Sequence, residues 1–489
     1  MLARFAAQAG EGGSAAGAAA ETIVEQAMAR SDATSAFMTF PRSRDGESLD
    51  QAGRRTDRLH VGTALASGMT QTSTRRDLLA AALAAPAAAI AATAATAAPA
   101  APAATAASGA TPRSGGTSLV LSPRRIERML RSAVADGRAA GVSAVVWQGG
   151  AERYFGAFGL ADVEAKRPMA RNTLARIWSM TKPVASVALM RLWDAGRFRL
   201  DDPIALYLPE FKSMRVHADD GRGERPAERP ILVSDVLRHT SGLTYAMEDG
   251  PADRAFRAAN PLETSRDLAA FSRAVAALPL RHEPGTAWHY GTSTDIVARL
   301  VEVLGDEPFN AHVRRHILQP LGMKETDWTQ PEARKDRLAA TYRLPEGAPP
   351  QREPDVPFTF ASGGAGLIGP IDDYLRFARM LLGEGELDGV RVLRPATVKV
   401  MLVDHLDPAT SPRHFLKSPG LGFGFGGSVR IAPTTADEPA SAVGEFSWGG
   451  AASTLFWVDP ANRLAVVFFA QKLPFDEALH REVRRAVYG

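Results

Sequence analysis

The chain is expected to adopt an α/β (α+β) fold, with one antiparallel sheet flanked by helices and a mainly helical region inserted between its two halves. Three observations carry that expectation. A helical pattern and then strand patterns begin near residue 122; helical patterns dominate from about 202 to 363; strand patterns return after 420 and end in a helix. That order builds a single sheet from both ends of the folded chain. The boundaries drawn from it are 116–205 and 362–489 for the sheet domain and 206–361 for the helical one, with 1–115 set apart by composition. No internal repeat is visible.

Each element has a local cause. Ser122 and Pro123 open a helix, the first as its cap and the second as a residue that needs no N–H in the first turn. Ile126, Met129, Leu130, Ala133 and Val134 then follow at helical spacing, which predicts one buried face. "VSAVVWQGGAERYFGAF" predicts two strands around a Gly149-Gly150 hairpin turn. From Val184 to Trp193 nearly every residue is apolar, so a helix there lies inside the molecule. Pro183 places the start of that helix just before it, with Ser179 at its N-terminus. "LVSDVLRHTSGL", "PLETSRDLAAFSRAVAAL", "STDIVARLVEVLG" and "PFNAHVRRHILQPLGM" supply the helical insertion. "PIDDYLRFARMLLGEG" is a further helix, and "GFGFGGSVRI", "STLFWVDP" and "RLAVVFFAQ" are strands, the last two joined by the turn "DPAN". A last amphipathic helix is expected from about Phe475.

At 489 residues the chain exceeds one ordinary domain and predicts two or three structural units. Its 57 basic and 54 acidic residues leave a net charge of +3, spread along the chain, which gives no basic stripe for nucleic acid. With no cysteine, disulfides, thiolate nucleophiles and cysteine-ligated metals are excluded together. Leu78 to Ala107 is mostly alanine, broken by Pro86, Pro99 and Pro102, and follows "TSTRRDLLA". The basic pair Arg75-Arg76, a weakly apolar stretch and then small residues resemble a twin-arginine export signal, which implies a periplasmic or secreted protein and no stable membrane span; a disordered Ala/Pro linker or a marginal membrane anchor is the alternative. Leu78-Leu79 stands where Phe-Leu is usual. Such a signal is read only at an N-terminus, so translation is expected to begin at Met69.

Ser179 and Lys182 are the first candidates for chemistry. At i and i+3 on a helix they share a face, so the amine reaches the hydroxyl. A helix N-terminus favours developing negative charge, and burial lowers the lysine pKa so that it accepts a proton. The spacing S-x-x-K alone also fits an ordinary helix start. Its surroundings are more specific: "SMTKPVASVALMRL", "LDDPIALYLPEF", "VSDVLRHTSGLTY", "WHYGTSTDIVARLVEVLG", "ILQPLGMKETDW", "ASGGAGLIGPIDDYLRFARMLLGEGELDG" and "WGGAASTLFWVDP" stand in order along the chain. Over roughly residues 120 to 489 this series resembles the serine β-lactamase and penicillin-binding-protein superfamily, most of all its family VIII carboxylesterases and more distantly the class C β-lactamases.

The resemblance implies a β-lactamase-like fold and assigns roles position by position. Ser179 would be the acylated nucleophile and Lys182 its proton acceptor or electrostatic partner. The second motif, Tyr-x-Asn in class C β-lactamases, falls on Tyr290-Gly291-Thr292, with Thr292 in place of Asn. Beside Lys182 the Tyr290 phenol is expected to ionise and act as general base. The third motif, Lys-Thr-Gly in β-lactamases, is Trp448-Gly449-Gly450 here, similar to the Trp-Gly-Gly of the esterases. A tryptophan forms no ion pair with a substrate carboxylate and offers an apolar wall instead. The backbone N–H groups of Ser179 and Ala451 would form the oxyanion hole. Which of Lys182 and Tyr290 takes the first proton stays open at this level.

Other features carry less. His312 and His316 have the i, i+4 spacing of a two-histidine metal site, but Val, Arg and Arg intervene, no third ligand is visible, and exposed polar helix positions explain them as well. No metal and no cofactor are therefore expected. There is no G-x-S-x-G, so a nucleophile elbow is unsupported. His239 is expected to be a structural loop residue, Asp201 and Asp202 to cap or brace the lead into the helical region, and the glycines of "GLGFGFGGSV" to alternate with aromatics as strand residues do. The expected function is a serine hydrolase acting on a small-molecule carboxylic ester through an acyl-enzyme. A β-lactamase or D-Ala-D-Ala carboxypeptidase, an acyltransferase of the same superfamily, and a non-catalytic binder of acyl or peptide ligands are the alternatives. The sequence does not fix the oligomeric state.

Overall fold

The computed structural model describes residues 119–217, 223–345, 348–355, 358–413, 416, 418, 420–435 and 441–489, which fall in one compact unit. Met69, the Arg75-Arg76 pair, the alanine-rich stretch and the whole of 1–115 lie outside the described residues.

Helix α1 (Pro123–Ala135) begins where the cap predicts: Ser122 Oγ accepts from the N–H of Arg125 at 3.4 Å, and Ile126, Leu130 and Ala133 are buried. Strands β1 (Gly141–Gln148) and β2 (Ala151–Asp162) form an antiparallel hairpin through Gly149-Gly150, both at the positive φ such a turn requires. Strand β3 (Arg167–Pro168) pairs with β2 at the sheet edge. A 3₁₀ turn over Trp178–Met180 then leads into helix α2 (Thr181–Asp194), buried at every position from Thr181 to Met190. The apolar run of this helix reflects enclosure on all sides.

Helices over Val233–Leu237, Pro251–Ala259 and Leu268–Ala276 precede the longer α3 (Ser293–Gly305) and the short α4 (Phe309–Val313), which passes into a π turn over Arg314–Leu318. This region also carries short strands, Arg215–His217 paired with Glu224–Pro226 and Tyr342–Arg343 paired with Gln351–Arg352. Helix α5 (Ile371–Leu382) follows. The sheet resumes with β4 (Leu421–Phe423), β5 (Ser428–Arg430), β6 (Phe446–Gly449), β7 (Leu455–Asp459) and β8 (Leu464–Ala470), and helix α6 (Glu477–Tyr488) ends the chain. One expectation needs correction here. Residues 424–427 of the glycine-aromatic run form the turn between β4 and β5, closed by Gly424 N–H to Gly427 O at 2.9 Å, so these glycines are not strand residues. Gly426 at φ 97 breaks the extended backbone that the alternation predicted.

The eight strands form one sheet in the order β4-β5-β6-β7-β8-β1-β2-β3. The pairs β1 with β8 and β1 with β2 are antiparallel, so the sheet's first and last strands in chain order lie side by side near its centre. Alternate residues serve opposite cores. In β8, Leu464, Val466, Phe468 and Ala470 join the core beneath α1 and α6, while Ala465, Val467 and Phe469 join the core shared with α2, α3 and α5. A strand covered on both faces is apolar throughout, which is why "RLAVVFFAQ" shows no polar alternation. Among the described residues, no helix is long and apolar enough to cross a membrane. Truncation of the fully buried ring in Phe468→Ala should lower unfolding stability by about 3–5 kcal/mol in a denaturant titration; a loss below about 1 kcal/mol would mean that this face of the sheet repacks.

Candidate active site

The nucleophile candidate stands on a strained turn. Trp178, just before Ser179, takes φ 50, a left-handed conformation uncommon for a bulky residue. The turn is held from several sides: Ile177 N–H donates to Leu367 O at 3.1 Å, the Tyr374 hydroxyl of α5 donates to Met180 O at 2.7 Å, and Leu367 N–H donates to Thr181 Oγ1 at 3.2 Å. Ser179 is thereby fixed at the mouth of α2 and is 6% exposed.

Lys182 is wholly buried one turn later. Its Nζ lies 3.2 Å from Ser179 Oγ, 3.2 Å from the Tyr245 hydroxyl and 2.8 Å from Gly364 O. Burial drives its pKa down to about 7, against the pull of Asp295. Hydrogen-bond accounting then gives the neutral amine a definite arrangement. Gly364 O only accepts, and the Tyr245 hydroxyl can donate to Asp295 Oδ2 at 3.3 Å, so the two amine hydrogens point to Gly364 and Tyr245. The lone pair is left facing the hydroxyl of Ser179.

Asp295, in the first turn of α3, is also buried, which raises its pKa, but three donors hold it. Ser362 Oγ donates at 2.5 Å, the Gly364 N–H at 3.1 Å and the Tyr245 hydroxyl at 3.3 Å. Sequence patterning does not point to Tyr245, Asp295, Ser362 or Gly364 individually, although each lies in one of the motif blocks. That placement is their only signal, because Tyr245 and Gly364 are 63 and 182 positions from Lys182.

The ring of Tyr290 lies 4.6 Å from Lys182 Nζ, and its hydroxyl is hydrogen-bonded to Ser179. The expectation of a phenolate is corrected. Burial pushes the Tyr290 pKa well up, and the contacts with Ser179 and Trp448 recover only part of that rise. A neutral amine carries no positive charge with which to stabilise a phenolate, so it is the lysine and not the tyrosine whose pKa moves toward neutrality. His239, buried at φ 60, packs its ring 5.1 Å from that of Tyr290 and takes the Gly291 N–H on Nδ1 at 3.5 Å. Burial keeps it neutral, as suits a packing residue.

Trp448 stands on β6 with its ring 5.4 Å from that of Tyr290 and 5.2 Å from Phe423. The glycines after it permit close approach. A Cβ on Gly450 would stand 2.4 Å from Ile177 O and 2.3 Å from Thr454 Oγ1, so only glycine brings this loop against the Ser179 turn. Gly449 lies against His480 of α6, which also holds the Ser453 backbone. Among the described residues, no backbone acceptor takes the Ala451 N–H. The structure thus gathers Ser179, Lys182, Tyr290, Trp448, Gly449, Gly450 and Ala451. Thr292, two residues after Tyr290, is 0% exposed at the start of α3.

Two sequence readings outside this site change or gain detail. Asp202 accepts from the Arg199 N–H at 2.7 Å and the Tyr207 hydroxyl at 2.5 Å, bracing the entry to the helical region, and Asp201 pairs with Arg199. His312 is 3% exposed, not an exposed helix position, because α4 packs that face inward, and Glu307 lies beside both it and His316.

The model of the Beta-lactamase family matches residues 126–488. Esterase EstB of Burkholderia gladioli is 32% identical over 369 residues, covering 70% of this chain and 88% of that protein. Protein Rv1367c of Mycobacterium tuberculosis is 37% identical over 356 residues, covering 69% and 87%. Among solved structures, EstCE1, described as a hydrolase with promiscuous acyltransferase activity, superposes with a TM-score of 0.65 at 28% identity over 75% of this chain and 98% of that one. A match across nearly all the described residues, with Ser179 and Lys182 meeting at the mouth of one buried helix, makes this chain a member of the β-lactamase family.

Proposed function

We propose that this protein is a serine hydrolase that cleaves small-molecule carboxylic esters through an acyl-enzyme on Ser179. One observation carries the reading: the buried Lys182 amine faces Ser179 Oγ at 3.2 Å with its pKa brought to about 7. Ser179 Oγ attacks the ester carbonyl as its proton passes to Lys182 Nζ. The carbonyl oxygen becomes an oxyanion held by the N–H groups of Ser179 and Ala451. The bond to the leaving alkoxide breaks, Tyr290 donates its proton to that alkoxide, and the Lys182 ammonium restores the phenol. Water then attacks the acyl-enzyme by the same groups in reverse order.

The wall at Trp448 decides substrate class. A lysine at this position would pair with the carboxylate of a β-lactam or a peptide C-terminus, whereas the indole favours an uncharged ester. Esterase EstB as a relative supports the same reading. The promiscuous acyltransferase activity of EstCE1 favours a second outcome for the same intermediate, in which an alcohol replaces water as acceptor. Export through Arg75-Arg76 is part of the proposal, on the residue order alone.

Brief exposure to a p-nitrophenyl ester should add one acyl mass to the wild-type protein, and Ser179→Ala should show neither adduct nor turnover, a loss of about 10³-fold or more; turnover unchanged in the variant would remove Ser179 from the mechanism. Below a pH of about 7 the Lys182 ammonium has no lone pair, so kcat/KM should fall about tenfold per pH unit on the acid side and level off above. A profile flat from a pH of about 5 to about 9 would exclude Lys182 as the base. For export, N-terminal sequencing of protein expressed from its own gene should give a mature start beyond the alanine-rich stretch; a retained Arg75-Arg76 in the exported protein would defeat that part of the proposal.

A further inference from the structure

A second cluster of titratable side chains gathers near the opposite end of α2. Glu307, His312 and His316 place one ligand atom each within 4.8 Å of one another. Glu307 Oε1 lies 3.0 Å from His312 Nδ1 and 3.2 Å from His316 Nε2. Donor atoms bound to a tetrahedral ion at about 2.0–2.2 Å are themselves about 3.3–3.6 Å apart, so small side-chain rotations would fit this arrangement to an ion.

The backbone brings the three together from two sides. His312 and His316 stand one turn apart where α4 passes into the π turn, with ring centroids 4.5 Å from each other. Glu307 comes from the turn after α3, where Asp306 takes φ 54. A Cβ on Gly305 would stand 2.9 Å from His312 Nδ1, so the glycine keeps that nitrogen clear. A cavity of about 220 Å³ borders all three residues and is also lined by Arg191, Leu192 and Ala195, giving room for a water ligand.

Three guanidinium groups, Arg191, Arg197 and Arg315, face the cluster or the cavity beside it. Arg315 Nη1 holds the other Glu307 oxygen at 3.2 Å, which leaves Oε1 toward the imidazoles. Arg191 Nη2 lies 3.5 Å from His316 Nδ1 and must withdraw when an ion on Nε2 moves the ring proton to Nδ1. With these charges and one carboxylate, the set disfavours magnesium and calcium, which need several oxygen ligands, and suits an ion that bonds imidazole nitrogen.

We propose that Glu307, His312 and His316 form a binding site for one divalent transition-metal ion of the zinc class, with water completing the coordination. It departs from the sequence expectation of no metal, which lacked the third ligand. Along α2, Lys182 and Arg191 are about 14 Å apart at 1.5 Å per residue, so the ion would tie the turn after α3 to the π turn without touching the reacting atoms.

Untagged protein would be titrated with zinc by calorimetry, and with cobalt for its visible absorption. The expected result is one zinc per chain at micromolar Kd, a cobalt spectrum of tetrahedral intensity, and a melting temperature that rises with zinc and falls back with chelator. His316→Gln, whose side chain is 30% exposed, should weaken zinc binding at least tenfold while leaving the metal-free melting temperature and ester turnover unchanged. Glu307→Gln should weaken it likewise and guards against a folding defect in the first variant. No saturable zinc uptake by wild type, or equal uptake by both variants, overturns the proposal.

Discussion

A lysine enclosed at the start of a buried helix is the constraint on which the rest of this site depends. Removing an ammonium from water is expensive unless it loses its charge or finds full compensation. Lys182 has partial compensation, from the Gly364 carbonyl, the Tyr245 hydroxyl and, at longer range, Asp295, and its pKa falls to about 7. Stronger pairing would keep it an ammonium and no base; weaker pairing would leave two buried amine hydrogens without acceptors. Asp295 is itself satisfied by Ser362, Gly364 and Tyr245, so it tempers the lysine from a distance, through the Tyr245 hydroxyl that lies between them.

Packing at this density requires three distant stretches of chain to meet. The Ser179 turn is pinned by α5 through Tyr374 and by Leu367, and the loop after β6 closes on it from the sheet side. Gly450 is the narrowest point of that closure. The strain at Trp178 persists because these contacts outweigh it. The site is thus assembled by the long central sheet and the helices over it together, with β1 and β8 bringing the two ends of the folded chain into register.

The electrostatic character of the site follows from what surrounds it. Tyr290 is flanked by Trp288, Trp448, His239 and Tyr245, aromatic groups that are neutral here, so burial and not a neighbouring cation sets its pKa. A phenol that stays protonated is a donor, which suits transfer to a leaving alkoxide better than removal of the first proton. That division of labour between amine and phenol rests on one physical fact: desolvation acts in opposite directions on a cationic acid and a neutral one.

The sequence by itself determined the elements whose cause is local. The Ser122-Pro123 cap, the Gly149-Gly150 hairpin, the all-apolar α2 and the strands of "STLFWVDP" and "RLAVVFFAQ" were legible because capping, turn geometry and short apolar runs bounded by turn residues act within a few residues. Ser179, Lys182, Tyr290 and the Trp448-Gly449-Gly450 segment were legible through the resemblance of their motif blocks to those of the family. Only the tertiary structure decided which groups are dry and which face each other. It placed Tyr245, Asp295, Ser362 and Gly364 around Lys182, reversed the expected ionisation of Tyr290, turned the Gly424–Gly427 run into a loop, and set Glu307 beside His312. Burial and contacts across 63 or 182 positions are properties of the assembled core, and no window of sequence contains them.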